Sequence, residues 1–235
     1  MYKGIYIALS GAVTNQSQMD VISHNLANAQ TLGYKKEKIS FSDFLLSQLN
    51  GGPEFSDGRT MSTLSGSVTD LSSGNLIRTG NPLDVALDGP GFLSLEGGQY
   101  TRRGDLTLSP DRYLVTQTGR KVLGSSGPIQ LPQGKVEIGT DGGISVDGVQ
   151  VDKIKVADFK DPGSLSRAGE YFVSTDAGAP SKAGVKQGYL EASNVDVIGE
   201  MVGMITALRE YETFEKAVHA FDDSMGKVTN ELAKI

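Results

Sequence analysis

The stretch that decides the fold runs from Val195 to Ile235 and reads VDVIGEMVGMITALREYETFEKAVHAFDDSMGKVTNELAKI. It contains no proline, and apolar residues recur along it at steps of three or four. They span 31 residues in nine steps, an average of about 3.4 residues, close to the coiled-coil repeat of about 3.5. This spacing predicts one long helix with a continuous apolar seam. The seam residues are Met201, Ile205, Leu208, Tyr211, Phe214, Val218, Phe221, Met225, Val228 and Leu232.

A second helix is predicted at the opposite end of the chain. Residues 1–32 also lack proline, and their seam includes Asn15, a polar residue of the kind that fixes register in helix pairs. The helix is expected to end at Gly33, because glycine readily takes the left-handed conformation that closes a last turn. The seam consists of Ile5, Ala8, Ala12, Asn15, Met19, Ile22 and Leu26.

The middle of the chain differs from both ends. From Asn50 to Gly80, glycine and serine make up 12 of 31 residues, which is typical of a linker with at most short strands. After it, short apolar runs alternate with turn dipeptides, as in an all-β domain. The sharpest hairpin signal is Asp147-Gly148, because a two-residue turn needs positive φ at both positions. Further strands are predicted at 85–87, 92–95, 100–103, 113–116, 136–138 and 153–159.

These patterns together predict an α+β fold: a compact all-β central domain flanked by long N- and C-terminal helices that pack as a coiled-coil-like tube layer. The predicted boundaries are an N-terminal arm at 1–39, a linker at 40–80, a β domain at 81–190 and a C-terminal arm at 191–235. Residues 1–40 carry a net charge of +2 and residues 191–235 carry −5, so charge favours packing between the arms. The alternative is that each helix folds onto the β domain of its own chain.

Composition excludes several classes of function. The 235 residues include no cysteine and two histidines, which removes disulfides and thiolate chemistry and makes a histidine metal cluster within one chain hard to build. The net charge of −6 argues against a nucleic-acid partner. The apolar run from Ile5 to Leu9 is too short for a signal-peptide core or a membrane span. We expect no cofactor, no metal and no direct membrane insertion, and any export would proceed without a cleaved signal peptide.

Catalytic motifs are weak. Ser224-Met225-Gly226-Lys227 fits the Ser-x-x-Lys pattern of serine acylases, but the accompanying motifs are missing and Met225 belongs to the helical seam. The prediction is therefore no catalytic residue and no enzyme. Two other classes stay open: a wall-degrading hydrolase, which would need paired carboxylates such as Glu96 and Asp105, and an oligomeric β binding module.

Three groups of motifs resemble one known family. Residues 25–35, NLANAQTLGYK, resemble the N-terminal signature of bacterial flagellar rod and hook axial proteins. Residues 188–196, GYLEASNVD, with Glu200-Met201-Val202 and 209–212, REYE, resemble its C-terminal signature, and NPLDVAL at 81–87 and YTRRG at 100–104 are similar to its central segments. Within the family, the short length and the opening IYIALSGA at 5–12 are most similar to proximal-rod members. Distal-rod and hook-type members are the alternatives.

The resemblance implies a structural axial subunit of the flagellar basal-body rod that self-assembles through its terminal helices to transmit torque. Implied partners are copies of itself, other rod subunits and the flagellar type III export apparatus. The seam residues would pack, the asparagines would satisfy polar groups near the arm ends, and Gly33 would turn the chain. The expected assembly interface consists of Ile22, Asn25, Leu26, Asn28, Gly33, Asn194, Met201, Ile205, Leu208, Tyr211, Phe214 and Val218.

Overall fold

The computed structural model describes residues 2–45, 60–159, 162–174, 176 and 178–232, with side chains over 8–40, 66–159, 163–174, 176, 178–224 and 226. Helix α1 spans Tyr2–Ala27 and helix α2 spans Val197–Leu232. The strands between them are β1 Glu37–Leu45, β2 Thr60–Thr69, β3 Leu76–Arg78, β4 Val85–Asp88, β5 Phe92–Leu95, β6 Gln99–Thr101, β7 Thr107–Leu108, β8 Leu114–Val115, β9 Val136–Ile138, β10 Gly143–Val146, β11 Val149–Lys153, β12 Val156–Asp158, β13 Leu165–Ala168, β14 Tyr171–Ser174, β15 Ala179–Pro180, β16 Gly184–Gln187 and β17 Tyr189–Glu191.

The chain forms two compact units. The helical unit comprises residues 1–27, 37–68 and 196–235, and the β unit comprises residues 28–36 and 69–195. An α+β fold with a mainly β centre and a helix at each end is thus confirmed, whereas coiled-coil packing stays a prediction. The β unit is larger than the predicted domain at 81–190, because it also contains residues 28–36 of the first arm, 69–80 of the predicted linker and 191–195 of the second arm.

Helix α2 begins where Asp196 caps it. The Asp196 side chain accepts a hydrogen bond from the Ile198 N–H at 3.2 Å, and its carbonyl accepts one from the Glu200 N–H at 2.9 Å. Such a cap satisfies amides that have no partner within the helix. The 36 residues of α2 give a length of about 54 Å. Within the described part of the chain, neither helix combines the length and apolar character that a membrane crossing requires.

Helix α1 ends earlier than predicted. Its last residue is Ala27, and a turn follows in which the Thr31 N–H donates to the Asn28 carbonyl at 3.0 Å. The expectation that Gly33 closes the helix is therefore wrong. Gly33 nevertheless has a φ of +65°, so the predicted turn of the chain at this glycine is confirmed.

Strands occupy part of the segment predicted as a linker at 40–80. Strands β1 and β2 pair as a two-stranded sheet, and β3 pairs with β17. The segment does carry a strand signal, since β-branched residues such as Thr60, Thr63 and Val68 favour strands. Its high glycine and serine content masked that signal. Residues 46–59 lie outside the described residues.

The β unit is built from short antiparallel pairings. Its largest sheet has the order β13-β14-β6-β5-β12-β15, and a three-stranded sheet has the order β11-β10-β9. Strands β16 and β4, and β7 and β8, form further pairs. The predicted hairpin is confirmed: Val146 pairs with Val149, and Asp147 and Gly148 have φ values of 50° and 81°.

Two apolar clusters form the core of the β unit. One is aliphatic and includes Leu95, Leu114, Val122 and Ile144. The other is aromatic, and Phe92 contacts the rings of Phe159 and Phe172 with centroids 6.1 and 5.1 Å apart. Short strands carry few ladder hydrogen bonds, so burial in these clusters supplies most of the stability of the unit.

We expect Ile144→Ala to lower the free energy of unfolding by about 2–5 kcal/mol, because it leaves a cavity in the aliphatic cluster. Val149→Ala in the same hairpin should change it by no more than about 0.5 kcal/mol. The two side chains are 0% and 70% exposed, respectively. Urea denaturation of the free subunit measures both values, and equal losses would contradict this assignment of the core.

Candidate functional site

Helices α1 and α2 pack against each other in an antiparallel pair within the helical unit. A Cβ added at Gly11 would lie 2.6 Å from the ring of Phe214, and one added at Gly203 would lie 3.5 Å from Cδ1 of Ile22. Each helix thus supplies a glycine beneath a large side chain of the other. The contacts lie 11 residues apart on both helices, so they fix one register of the pair.

The face of α1 that packs against α2 agrees with the predicted seam. Ala8, Asn15 and Ile22 are buried, whereas Met19 and Leu26 are half-buried. Within the described residues, the Asn15 amide nitrogen has no hydrogen-bond partner. An unsatisfied buried donor destabilises a structure by about 1–3 kcal/mol. The side chain of Ile5 lies outside the described set.

The predicted seam of α2 divides into two faces. Tyr211, Phe214 and Val218 are half-buried, and Ala207 and Glu200 on the same side are buried. Met201, Ile205 and Leu208 instead are 50%, 55% and 49% exposed. We call these three, with Ile198 and Val202, the exposed apolar face of α2. The side chains of Met225, Val228 and Leu232 lie outside the described set.

The division follows from helix geometry. Steps averaging about 3.4 residues stay on one line only if the helix supercoils to about 3.5 residues per turn. On a straight helix of 3.6 residues per turn, each step advances the line around the axis, so a seam that starts at Met201 reaches a different side by Phe214. Sequence spacing alone therefore assigned to one seam residues that lie on two surfaces of α2, the side packed against α1 and the exposed apolar face.

Asn25 joins the end of α1 to the start of β1. Its side-chain oxygen accepts from the Glu37 N–H at 2.9 Å, and its amide donates to the Glu37 carbonyl at 2.9 Å. The amide also donates to the buried carboxylate of Glu200 in the first turn of α2, at 3.3 Å. The expectation that Asn25 satisfies backbone and neighbouring polar groups is confirmed.

Gly33 lies against backbone of the β unit. Its N–H donates to the Glu191 carbonyl at 2.8 Å, and an added Cβ would lie 2.6 Å from the Arg102 carbonyl carbon and the Arg103 nitrogen. Glycine is therefore required here for two reasons, positive φ and close approach. Asn28, five residues earlier, is half-buried in the turn that leads to it, and its side-chain oxygen accepts from the Thr31 hydroxyl at 3.2 Å.

The next signature residues enter the β unit as a buried ion cluster. Lys35 Nζ donates to Glu191 Oε1 at 2.7 Å and to the Ser72 carbonyl at 2.7 Å. Arg102 Nε donates to Glu191 Oε2. The side chains of Lys35, Glu191 and Arg102 are 1%, 1% and 2% exposed. We call these three residues the ion triad.

Hydrogen bonds satisfy the remaining polar atoms of the triad. The Gly74 N–H donates to Glu191 Oε1 at 2.8 Å. Arg102 donates to the carbonyls of Leu87 at 3.0 Å and Gly89 at 2.7 Å, and also to that of Gly91. Buried charges are tolerated when they are paired and fully hydrogen-bonded. The triad thus links three parts of the sequence that lie far apart.

Burial and charge pairing shift the pKa values of Glu191 and Lys35 in opposite directions. Burial raises the pKa of the Glu191 carboxyl, but the Arg102 charge and the hydrogen bond from Lys35 outweigh it, so the pKa lies below its usual value. Burial lowers the pKa of the Lys35 ammonium below its usual value, although the hydrogen bond to Glu191 acts the other way.

Arg167 and Asn194 make further contacts with the segment that follows α1. Arg167 donates to the Lys35 carbonyl at 2.7 Å and stacks over Tyr34 at 4.3 Å from the ring centre. Asn194 accepts from the Lys36 N–H at 2.7 Å and donates to the carbonyls of Asp70 at 2.9 Å and Ser72 at 3.0 Å. The predicted role of Asn194 in satisfying backbone groups is confirmed.

Sequence reasoning missed the ion triad, although all three members lie in the motifs that carried the family resemblance. The available signal was a charged residue directly after apolar ones in two of the motifs, as in Tyr34-Lys35 and Leu190-Glu191, whereas residues 100–104 carry two arginines and the sequence does not say which is buried. Elsewhere, Glu96 lies 3.8 Å from Lys121, and Asp105 lies 2.7 Å from Arg103. Each therefore has a cation beside it. Among the described residues, histidine and carboxylate side chains form no group suited to a metal ion.

Three family models match the chain. "Flagella basal body rod protein" matches residues 5–35, "Flagellar hook protein FlgE/F/G D1 domain" matches 86–146, and "Flagellar basal body rod FlgEFG protein C-terminal" matches 186–232. The first and last matches contain Lys35 and Glu191, respectively, and the middle match contains Arg102.

Whole-chain relatives agree with these matches. The flagellar basal-body rod protein FlgG of Bacillus subtilis is 30% identical over 98% of this chain and 99% of its own length. FlgG of Borreliella burgdorferi is 31% identical over 98% of each chain. The flagellar basal-body rod protein FlgF of Caulobacter vibrioides is 30% identical over 100% of both chains.

The requirement for glycine at 33 is testable with a matched control. Gly98 has a φ of +71°, close to that of Gly33, but an added Cβ there meets nothing within 4 Å. Asparagine tolerates positive φ, so Gly98→Asn should be nearly neutral. Gly33→Asn should lower the free energy of unfolding by about 1–3 kcal/mol more, because backbone blocks the side chain. Equal values in urea denaturation would show that close approach is not decisive.

The ion triad predicts an acid-dependent loss of stability. Because the pKa of Glu191 is lowered on folding, its stabilising contribution is present above the unfolded pKa of about 4.3 and is lost as pH falls through the folded value. Glu191→Gln should lower the free energy of unfolding by about 3–5 kcal/mol at pH 7. The difference from the parent should shrink below about pH 4. Urea denaturation across this range measures it, and a constant difference would contradict the assignment.

Proposed function

The chain belongs to the flagellar basal-body rod protein family, and we propose that it joins neighbouring rod subunits through the exposed apolar face of α2. It is a structural axial subunit of the rod. How it assembles and where in the rod it lies are our proposal.

The observation that carries the proposal is the exposed apolar face. Five large apolar side chains lie exposed within the first three turns of α2, from Ile198 to Leu208. Contiguous exposed apolar surface of this kind marks interaction sites in soluble proteins. The opposite side of the same turns contacts α1, so the pair presents this face without having to separate. Met201, Ile205 and Leu208 are thus the predicted interface residues that we assign to contacts between subunits.

The other predicted interface residues have roles within the chain. Ile22 and Phe214 hold the α1–α2 register, Tyr211 and Val218 lie on the same side of α2, and Leu26 is half-buried near the end of α1. Asn25 and Asn194 hold backbone near the ends of the helices. We propose that these residues give the subunit the defined shape that repeated packing requires.

Repetition of one contact that does not close on itself produces an open helical assembly. A helix of about 54 Å that contacts neighbours over several turns resists sliding, which suits a shaft that transmits torque. The implied neighbours are copies of this chain and other rod proteins. Delivery by the flagellar type III export apparatus, without a cleaved signal peptide, belongs to the same proposal.

We place the subunit in the proximal rod, as a FlgF-type protein. The alignment with FlgF of Caulobacter vibrioides spans 251 positions, and that with FlgG of Bacillus subtilis spans 263. The FlgF alignment therefore needs fewer gap positions over nearly complete chains. The opening residues 5–12 favour the same position. A distal-rod position of the FlgG type is the second candidate, supported by FlgG relatives of 30% and 31% identity.

The hydrolase alternative is weakened by the structure. A wall-degrading enzyme needs an acid with a raised pKa facing a second carboxylate. Asp105 instead contacts the guanidinium of Arg103, and Glu96 lies near Lys121. Incubation of the purified chain with peptidoglycan, followed by detection of soluble fragments, discriminates between the two functions.

We expect Ile205→Asp to abolish rod assembly and motility while leaving the free subunit folded, because the side chain is exposed in the subunit and covered in the rod. The matched control is Ala220→Asp, which adds the same charge at an exposed site of α2 beyond the apolar face. Motility in soft agar and circular dichroism of the free subunit measure the two effects. Normal swimming of the Ile205→Asp strain would overturn the proposed interface.

A tagged copy located along isolated basal bodies by electron microscopy tests the position. The proximal assignment requires the label at the base of the rod, next to the export apparatus. Label along the outer part of the rod would support the distal alternative instead.

A further inference from the structure

We propose that the ion triad is a completion lock, which lets the β unit close only after its last segment, residues 188–194, is in place. The inference rests on the proposed function in one respect: its benefit is to a subunit that reaches the rod as an open chain. The lock itself is a property of the β unit and is measurable on the free protein.

The order of the triad along the chain is the first argument. Lys35 and Arg102 precede Glu191 by 156 and 89 residues. A chain that emerges from its amino end, from a ribosome or through a channel, presents both cations long before the carboxylate. The rest of the triad therefore exists without its anion until the end of the β unit appears.

The charge balance is the second argument. The side chains of Lys35 and Arg102 are almost completely buried in the closed unit, and each donates to a different oxygen of Glu191. Asp70 adds a weaker attraction to Lys35. Without Glu191, closure would bury two like charges without the carboxylate that both contact, which is strongly unfavourable.

The closing segment is the third argument. Besides the triad, residues 191–194 accept from the Gly33 N–H at 2.8 Å and the Lys36 N–H at 2.7 Å, and the Ala192 N–H donates to the Asn75 carbonyl at 2.8 Å. The segment therefore binds the chain that follows α1, at Gly33 and Lys36, and the residue directly before β3, Asn75. Its removal would leave these groups without partners at the same time.

The lock has a consequence for the order of events. Glu191 lies six residues before the start of α2 at Val197. The β unit would thus remain open until α2 is next to emerge, and closure and formation of the C-terminal helix would follow each other directly.

Hydrogen exchange on the unmodified full-length protein tests the lock. The amides of Gly33 and Ala192 report on the closing segment, because they bond to Glu191 and Asn75. The amides of Leu114 and Val122 report on the aliphatic core, where they bond to Ile129 and Leu114. If no state exists with the segment detached and the core closed, all four protection factors should agree within about tenfold and fall together as urea is added. Exchange of Gly33 and Ala192 more than about 100-fold faster than the core would overturn the proposal.

Two variants make the test specific to charge. Glu191→Gln keeps the shape of the side chain and should reduce core and segment protection by the same factor, or leave the β unit open. Lys186→Gln, which removes only an exposed ion pair with Asp88, should leave all four amides unchanged. Loss of segment protection alone in Glu191→Gln would contradict the lock. These measurements use the free subunit, so their outcome does not depend on where the protein is located. If the exchange results support the lock but the protein is absent from rods, the rod assignment is refuted and the lock is not.

Discussion

The pairing of Lys35 and Arg102 with one buried carboxylate, Glu191, is the constraint on which the β unit depends. It draws the segment after α1 into a domain whose other residues come much later in the sequence. Gly33 must then approach the backbone of Arg102, and Asn194 must meet the carbonyls of Asp70 and Ser72. The parts of the two end signatures that lie in the β unit, residues 28–35 and 188–195, are thus not independent motifs, because the triad and its neighbours join them by hydrogen bonds.

The sequence predicted the elements that depend on local pattern. The two helices, the Asp147-Gly148 hairpin and most central strands follow from periodicity and turn chemistry, which act over a few residues. The strands at 37–45 and 60–69 were not predicted, because the first crosses the predicted boundary between arm and linker at residue 40, and the second lies in the segment 50–80, where 12 of 31 residues are glycine or serine. The end of α1 was misplaced, because Gly33 serves a contact made 69 positions later, with Arg102.

The candidate site was predictable only where its residues have a distinctive local chemistry. Asn25, Asn194 and Gly33 were recognised by residue type, since asparagine and glycine have distinctive backbone chemistry. The triad was not, because pairing between distant charges cannot be read from spacing. The two faces of α2 were merged, because a sequence does not state whether a helix supercoils, and that choice decides which side Leu208 and Phe214 share.

The contact between Gly11 and Phe214 carries an evolutionary consequence. The ring of Phe214 occupies the space that a side chain at position 11 would need, since an added Cβ would lie 2.6 Å from it. A larger residue at position 11 therefore requires the ring to move or position 214 to become smaller. At Gly203 an added Cβ would lie 3.5 Å from Ile22, an ordinary contact distance, so alanine is compatible with the same register there. Among relatives that keep this packing, positions 11 and 214 should change together, whereas position 203 can accept alanine without a change at position 22.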